Sequence, residues 1–458
     1  MAKRGVYIVF FIFWMVVSWA QDSSISGVWD GYLKLGNDSL RLVLVMDIHG
    51  NDVFAVLDSP DQYMTDMPID EIRFSHDTLK FKEKKYNISY QGVMQSDSSF
   101  KGKFTQMGKT RSLILHPHAK RKLFLRPQEP QPPYPYEIRD VQWRTIPPIE
   151  GTLTLPQGQK TRAALILISG SGHQDRDETL MAHKPFKLLA DTLTRNGFAV
   201  YRYDDAAPLY FKNMTTFDFV EQVQKICDSL AQIPELYQVP IGLLGHSEGG
   251  LVACIAASQC DKIQFVVSLA GIAEPIKEIL LYQNRVLSEA ENLETAQIEK
   301  NMTLSKKIYE IMEKAKTKEM AQRKLSDFLL SMTSKMTLEQ KTASHLTPTE
   351  VLIMQQQLLT PWYYTLFHIK PSLYIKKVKC PILVLNGDKD RQVDAAANLS
   401  LFSKYLIDNK DVTIKAIQGV NHLFQPCQTG MPSEYGEIEQ TFSSSVMTTI
   451  IHWLKERY

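Results

Sequence analysis

The chain from about residue 25 to residue 125 carries short runs in which apolar and polar residues alternate. Alternation with a period of two is typical of strands that have one face in a core and the other in water. Glycine and asparagine turn signals separate the runs, and no stretch has the periodicity of an amphipathic helix. We therefore predict a small all-β accessory domain over residues 21–125, either a barrel or a sandwich. The clearest runs are residues 40–48, 53–57, 79–81, 88–90 and 112–115.

From about residue 141 the pattern changes to unbroken apolar runs that alternate with helical stretches. Such runs are typical of a mostly parallel sheet that helices cover on both faces. The interval between residues 269 and 382 is too long for a loop and reads as helices rich in Lys, Glu, Gln and Met. We predict an α/β fold over residues 141–458, with a helical cap at about 274–375. The apolar runs are 163–168, 198–203, 241–244, 264–269, 382–385 and 412–417, and the helical stretches include 180–195, 217–233, 251–259 and 395–406.

Residues 126–140 separate the two patterns. Five prolines fall between residues 126 and 135. Proline has no amide hydrogen and a fixed φ, so such a stretch resists both a helix and a central strand. We predict a semi-rigid linker here.

The first twenty residues have the layout of a secretory signal peptide. Lys3 and Arg4 precede an apolar stretch over residues 6–17, and small residues stand at positions 18 and 20. The apolar stretch is shorter than the roughly 20 residues of a membrane-spanning helix. We predict cleavage after Ala20 and export to the periplasm or the exterior, with an uncleaved anchor as the alternative.

Charge and cysteine content exclude several classes of function. The 52 basic residues nearly balance the 50 acidic ones, whereas nucleic-acid binding rests on a basic face. We therefore predict no nucleic-acid partner. The short apolar stretch at residues 6–17 separately predicts no stable membrane anchor. No Cys or His pairs have zinc-like spacing, so we predict no metal site. The five cysteines, an odd number, define no readable disulfide framework: Cys227, Cys254, Cys260, Cys380 and Cys427.

The sequence Gly-His-Ser-Glu-Gly-Gly over residues 245–250 follows one apolar run and precedes a helical one. A serine on a sharp turn between a strand and a helix needs glycine on both sides, because the backbones approach too closely for side chains. The five-residue pattern G-x-S-x-G alone is weak evidence, and its setting gives it meaning. We predict that Ser247 is a nucleophile; the alternative is an ordinary turn residue.

A serine hydroxyl needs a base and a group that orients the base. His422 follows the last predicted strand, and Asp388 and Asp390 follow the strand before it. The carboxyl ends of parallel strands gather at one edge, so these residues are expected near Ser247. We favour Asp390 over Asp388, which could be a solvated turn residue.

An oxyanion needs two backbone donors. We expect the first to be the amide of Glu248, directly after the nucleophile, and the second that of Ser171, with Gly172 as the alternative. Six nearby charged residues are expected to form a structural ion-pair network: Asp175, Arg176, Asp177, Arg202, Asp204 and Asp205.

These segments resemble the α/β-hydrolase superfamily from about residue 141 to the end of the chain. They look closest to bacterial secreted carboxylesterases with a small β-rich N-terminal domain, a group described as serine-aminopeptidase-like or dienelactone-hydrolase-like. The sequence departs from that group at residues 206–210, where relatives have a basic residue and an Arg-Gly-x-Gly turn. The segments that carry the resemblance are 169–172, 175–178, 202–205, 245–250 and 386–393, with 27–31, 57–62 and 102–108 in the N-terminal part.

The resemblance implies hydrolysis of a small-molecule ester of small or medium acyl length, through an acyl-enzyme and without a cofactor. One alternative is a serine peptidase of the aminopeptidase or prolyl-oligopeptidase kind. An aminopeptidase would need acidic cap residues to hold a substrate amine, for which Glu274, Glu278, Glu289 and Glu291 are candidates. The other is a glycan- or lipid-binding protein with an inactive hydrolase domain.

Overall fold

The structure is a computed structural model that describes residues 25–36, 38–49, 52–344 and 346–458. The predicted signal peptide, residues 1–20, lies outside the described residues. The described residues up to Phe124 form one compact unit, and Leu125–Tyr458 form a second. Within the described ranges, no helix has both the length and the apolar character needed to cross a membrane.

The first unit is an antiparallel half-barrel built from a single sheet. Its strand order is β4-β3-β2-β1-β9-β8-β7-β6-β5. Along β6, Leu79 and Phe81 are buried while their neighbours Lys80 and Lys82 are exposed, which is the alternation expected of a sheet with one solvated face. The predicted all-β domain is confirmed. The strands are β1 Gly27–Leu35, β2 Asp38–His49, β3 Asp52–Ser59, β4 Met64–Pro68, β5 Glu71–Ser75, β6 Thr78–Glu83, β7 Ile88–Met94, β8 Phe100–Gln106 and β9 Lys109–Pro117.

The second unit contains a mostly parallel sheet of eight strands in the order β10-β11-β13-β12-β14-β15-β16-β17. Strands β10 and β11 pair antiparallel at one edge, and β12 to β17 run parallel. The predicted α/β fold is confirmed. The strands are β10 Tyr136–Trp143, β11 Ile149–Pro156, β12 Ala164–Ile168, β13 Ala199–Tyr203, β14 Ile241–His246, β15 Ile263–Leu269, β16 Ile382–Gly387 and β17 Val412–Ile417.

Helices cover both faces of this sheet, which is why β12, β13, β14 and β16 are buried at every position. Separate apolar clusters fill the two faces. The helices outside the cap are α1 Pro185–Arg195, α2 Pro208–Phe211, α3 Thr216–Leu230, α4 Glu248–Ala257, α12 Ala395–Tyr405 and α13 Ser444–Lys455.

The predicted cap is present between β15 and β16. Its helices enclose a small apolar core of their own that includes Met312, Leu325 and Leu329. The cap helices are α5 Ile276–Ala290, α6 Thr295–Lys314, α7 Lys318–Thr333, α8 Leu338–Ala343, α9 Pro348–Leu358, α10 Pro361–His368 and α11 Ser372–Ile375.

Two predicted boundaries are corrected. The predicted linker, residues 126–140, extends too far, because residues 136–140 begin strand β10 directly after the last proline, Pro135. The predicted helix over 180–195 begins only at Pro185, at its first turn. Proline favours the first turn of a helix and disfavours the α-conformation of the residue before it, so Pro185 marks a start.

Candidate active site

The turn between β14 and α4 holds Ser247 in a left-handed conformation, with φ 53° and ψ −120°. Such a conformation is rare for a residue with a side chain and is typical of a nucleophile elbow. A Cβ on Gly245 would lie 2.0 Å from the Gly249 carbonyl oxygen, and one on Gly249 would lie 2.2 Å from the Ile168 carbonyl oxygen. The glycines are therefore required by close backbone contact. The Ser247 amide also donates to the Leu269 carbonyl at 2.8 Å.

His422 and Asp390 form a buried pair near this elbow. His422 Nδ1 donates to Asp390 Oδ2 at 2.7 Å, which leaves Nε2 as the nitrogen that can face a nucleophile. Within the described chain, Ser247 Oγ makes no hydrogen bond to His422, as is common in unliganded sites whose contacts tighten with substrate. The alternative acid, Asp388, is exposed and accepts from the Gly419 amide at 2.6 Å.

A set of buried amides holds Asp390 in place. Its Oδ1 accepts from the amides of Gln392 and Val393 at 2.8 and 2.9 Å, and its Oδ2 also accepts from Asn386 Nδ2 at 3.0 Å. Asn398 on α12 in turn donates to Asn386 Oδ1 at 2.8 Å. The carboxylate is thus fully hydrogen-bonded and fixed before a substrate arrives.

The loop after β12 passes directly beside Ser247. A Cβ on Gly170 would lie only 3.3 Å from Ser247 Cβ. Ser171 is exposed, and neither its amide nor that of Glu248 donates a hydrogen bond within the described residues. Both amides therefore remain available as donors near the elbow, as an oxyanion site requires.

The side chain of Glu248 joins three parts of the second unit. It is buried and accepts from Ser171 Oγ at 2.9 Å, from Thr216 Oγ1 at 2.8 Å, and from Trp362 Nε1 at 2.9 and 3.0 Å. Trp362 lies on α10, so the cap is tied to the residue after the nucleophile. Burial raises the pKa of Glu248, and the hydrogen bonds from Trp362 and the two hydroxyl groups oppose that shift.

The predicted ion-pair network forms mainly around two arginines. Arg176 binds the Asp204 carboxylate through several nitrogens, and buried Arg202 pairs with Asp177. Asp205 instead accepts from the Gln174 amide at 2.7 Å. Burial and the nearby carboxylates of Glu248 and Glu178 raise the pKa of Asp205 to about 7.

Residues 206–210 lead into and include most of the short helix α2. The Ala206 carbonyl lies 3.1 Å from His173 Nε2, and the ring of Phe211 lies 5.0 Å from that of His173. His173 lies in the same loop as Ser171. Residues 206–211 therefore pack against the loop beside the nucleophile.

Several residues that sequence reasoning missed support this site. Asn386 and Asn398 were not singled out, and neither were Glu178 and Trp362 as partners of the elbow. Some of these contacts join segments far apart in the chain, such as that of Glu248 with Trp362, whose positions differ by 114, whereas Asn386 and Asp390 differ by only 4. A polar residue at the end of an apolar strand, as Asn386 is, was the only local signal.

Neither a disulfide nor a metal cluster is seen in the described part of the chain. All five cysteines are described, and all are free thiols. No group of three His, Cys, Asp or Glu side chains among the described residues could hold a metal ion.

A family profile described as serine aminopeptidase, S33, matches residues 180–425, more than half of the 458-residue chain. The matched range includes Ser247, Asp390 and His422. The esterase EstD of Thermotoga maritima is 26% identical over 302 residues, which cover 64% of this chain and 61% of EstD. The match therefore spans less than two thirds of that relative.

Solved structures of hydrolases were also found among the similar chains. The esterase PF2001 of Pyrococcus furiosus has a TM-score of 0.43 at 14% identity, covering 74% of this chain and 99% of that one. A dienelactone hydrolase from Anabaena variabilis has a TM-score of 0.40 at 13% identity, covering 70% and 99%. Est1E of Butyrivibrio proteoclasticus has a TM-score of 0.40 at 16% identity, covering 69% and 98%. Family assignment rests on the profile and not on these structures.

Proposed function

The chain belongs to the serine aminopeptidase S33 family of α/β-hydrolases, and we propose that it is a serine hydrolase that cleaves carboxylic esters of small or medium acyl chains. The observation that carries the proposal is the 2.7 Å contact between His422 Nδ1 and Asp390 Oδ2, near the strained turn at Ser247. A serine needs a base, and the base needs a group that fixes its tautomer. These three residues suit those roles.

In the first half of the reaction, His422 Nε2 takes the proton from Ser247 Oγ as the oxygen attacks the ester carbonyl carbon. The resulting oxyanion accepts hydrogen bonds from the amides of Ser171 and Glu248. His422 then donates its proton to the leaving alcohol oxygen as the carbon–oxygen bond breaks. The products of this half are the alcohol and an acyl-enzyme on Ser247.

In the second half, His422 removes a proton from a water molecule, which attacks the acyl carbon. The same two amides stabilise the second oxyanion, and the carboxylic acid leaves as Ser247 Oγ regains a proton from His422. Asp390 stays ionised throughout and stabilises the imidazolium.

Similarity to EstD supports an ester substrate over a peptide. The test is the hydrolysis of chromogenic esters from acetyl to decanoyl, alongside aminoacyl and prolyl anilides. We expect turnover that peaks at a small or medium acyl chain and is lost in Ser247→Ala. Ser258→Ala, at the other end of α4, is the matched control and should keep full turnover. Anilide turnover above ester turnover would contradict the proposal.

A peptidase is the second candidate because of Glu274. This residue is half-buried after β15, and burial together with Asp394 and Glu278 raises its pKa to about 7. The positive charge of a substrate ammonium group would offset the repulsion between Glu274 and these two carboxylates. An aminopeptidase requires an acidic residue that binds the substrate amine in this way. Glu289 and Glu291, also candidates from the sequence, are exposed. Faster turnover of aminoacyl anilides, lost in Glu274→Gln, would favour this candidate.

We also propose that the protein is exported by the signal peptide at residues 1–20. The evidence is the sequence pattern, a basic start followed by a short apolar stretch. Mass spectrometry of the secreted or periplasmic protein should find an N-terminus at Gln21. A protein that keeps Met1 and stays in the cytoplasmic fraction would contradict this.

A further inference from the structure

A second histidine–carboxylate pair lies beside the proposed catalytic one. Glu178 Oε1 is 2.9 Å from His246 Nδ1 and 2.9 Å from the Gly170 amide nitrogen. His246 Nε2 is 3.0 Å from the carbonyl oxygen of His422. Both Glu178 and His246 are buried. The proposed triad does not use either side chain, so their contacts need another explanation.

The protonation of His246 follows from its two partners. A carbonyl oxygen only accepts hydrogen bonds, and so does an ionised carboxylate. A neutral imidazole has one N–H, and its other nitrogen would face an acceptor with a lone pair. If Glu178 is ionised, both contacts are satisfied only when both ring nitrogens carry protons.

A neutral pair would satisfy the same two contacts if the proton shared by Glu178 and His246 Nδ1 lay on the carboxyl oxygen. The hydrogen bond from the Gly170 amide distinguishes the neutral pair from the ionised one. The Gly170 amide donates to Oε1, the same oxygen that faces His246. An N–H donor favours negative charge on the oxygen that accepts it. Burial is the largest single influence and opposes protonation of His246, but the charge and hydrogen bond of Glu178, the His422 carbonyl and the charge of Asp390 together outweigh it and raise the pKa of His246. The ionised form is therefore favoured.

We propose that Glu178 and His246 form a buried carboxylate–imidazolium pair that positions the Gly170 loop and the His422 loop on either side of Ser247. Glu178 holds the loop through the Gly170 amide, and His246 holds the backbone of His422. His246 also precedes Ser247 directly in the chain. The inference rests on the proposed hydrolase function and assigns positioning roles to two residues within it.

Two local features fit this role. Glu178 has φ 53°, a conformation that costs energy for a residue with a side chain and that persists where surrounding contacts determine it. The ring of His246 lies 4.9 Å from that of His422. Ionisable groups that face His246 are Glu178 from the loop after β12, and Asp390 and His422 from the loops after β16 and β17.

Steady-state kinetics of Glu178→Gln, His246→Gln and the double variant test the positioning role. A misplaced loop disturbs the alignment of reacting groups more than substrate binding, so each variant should lower kcat about 10- to 100-fold with KM within about threefold. Since the residues act as a unit, the double variant should lose no more than about threefold beyond the worse single variant. Glu235→Gln, which removes a surface carboxylate paired with Arg139, should leave kcat unchanged.

Effects that multiply in the double variant, a change confined to KM, or an unchanged kcat would each overturn the positioning role. Nitrogen NMR of wild-type protein with labelled histidine measures the protonation of His246 directly. Only the assignment of the His246 signal requires a folded variant, His246→Gln. We expect both nitrogens of His246 to be protonated at pH 7. A neutral ring with an unprotonated Nδ1 would overturn the ion pair.

The same data separate this inference from the proposed function. Ester turnover by wild-type protein that is lost in Ser247→Ala supports the hydrolase, whatever the state of His246. If wild-type protein hydrolyses no ester while His246 carries two protons, the proposed function fails and the ion pair stands.

Discussion

Two histidine–carboxylate pairs lie side by side in the second unit, and they differ in what the second ring nitrogen contacts. In the pair of His422 with Asp390, Nδ1 is bound and Nε2 remains for a reacting group. In the pair of His246 with Glu178, both nitrogens are bound to acceptors. A histidine can move a proton only if one nitrogen can release and regain it. The same residue types are therefore suited to catalysis in one region and to positioning in the other.

The charge of the two pairs should differ as well. His422 must be neutral at rest to accept a proton from Ser247. His246 needs two protons to satisfy both of its acceptors. Removing the charge of Asp390 should therefore mainly lower turnover. Removing the charge of Glu178 should mainly lower the free energy of unfolding.

The largest effect on activity is expected for His422→Gln. Without the base, kcat should fall by about 10⁵- to 10⁶-fold, because triad residues act as a unit. Ester turnover under saturating substrate measures this loss. His452→Gln, on the exposed side of α13, is the matched control and should keep kcat. A loss of less than about 100-fold would show that another group serves as the base.

Asp390→Asn should lower kcat by about 10⁴-fold. Asparagine keeps the shape, but its amide favours the wrong tautomer of His422. Chemical denaturation should show a loss of only about 1–2 kcal/mol in the free energy of unfolding, since a neutral partner remains. Turnover and denaturation measured on the same preparation separate the two quantities. A stability loss larger than that of Glu178→Gln would contradict the difference between the pairs.

Glu178→Gln should have the opposite balance of effects from Asp390→Asn. We expect a moderate loss of kcat and a loss of about 3 kcal/mol in the free energy of unfolding. The variant leaves a buried imidazolium without its counter-charge, or a neutral ring whose Nδ1 accepts from the introduced amide nitrogen, which then cannot accept from the Gly170 amide. Urea denaturation at pH 6 measures the loss. Glu235→Gln is the control, because an exposed ion pair contributes about 1 kcal/mol at most.

The stability difference between wild type and Glu178→Gln should also depend on pH. A raised pKa means that the folded state binds the proton of His246 more tightly than the unfolded state does. The stability that protonated His246 contributes is fully present below the pKa of histidine in the unfolded chain, about 6.5, and is lost as pH rises through the raised pKa of the folded state. Denaturation from pH 6 to pH 9 should show that the difference in unfolding free energy between wild type and Glu178→Gln becomes smaller. A difference that stays constant over this range would contradict an ionised pair.

The smallest effect is expected for Asp388→Asn. Asp388 is exposed, and among the described residues it accepts a hydrogen bond from the Gly419 amide alone, a contact that an asparagine oxygen can keep. We expect kcat within about twofold and a stability change within about 0.5 kcal/mol. A large loss of turnover would mean that Asp388, and not Asp390, orients the base.

The sequence was sufficient to predict the fold and to place Ser247, Asp390 and His422 at one edge of the sheet. Each of these residues follows an apolar run, and the carboxyl ends of parallel strands meet at the same edge. Gly245 and Gly249 added a local signal, because the elbow leaves no room for a Cβ at either position.

The supporting contacts were not predictable in the same way. Glu178 and His246 are 68 residues apart, and nothing in either local pattern shows that they meet. Glu178 ends a polar run after the predicted strand 163–168, and His246 directly precedes Ser247 in the chain. Their role depends on which atoms the folded chain brings into contact. Residue type and spacing along the sequence do not predict those contacts.

Labelling with a fluorophosphonate, which reacts with activated serines, tests most directly whether Ser247 is the nucleophile. After treatment of the intact protein, peptide mass spectrometry should find one adduct, on Ser247. We expect no adduct in Ser247→Ala and much slower labelling in His422→Gln. An adduct on Ser171, which also stands between glycines, or no adduct on folded wild-type protein would contradict the proposed hydrolase.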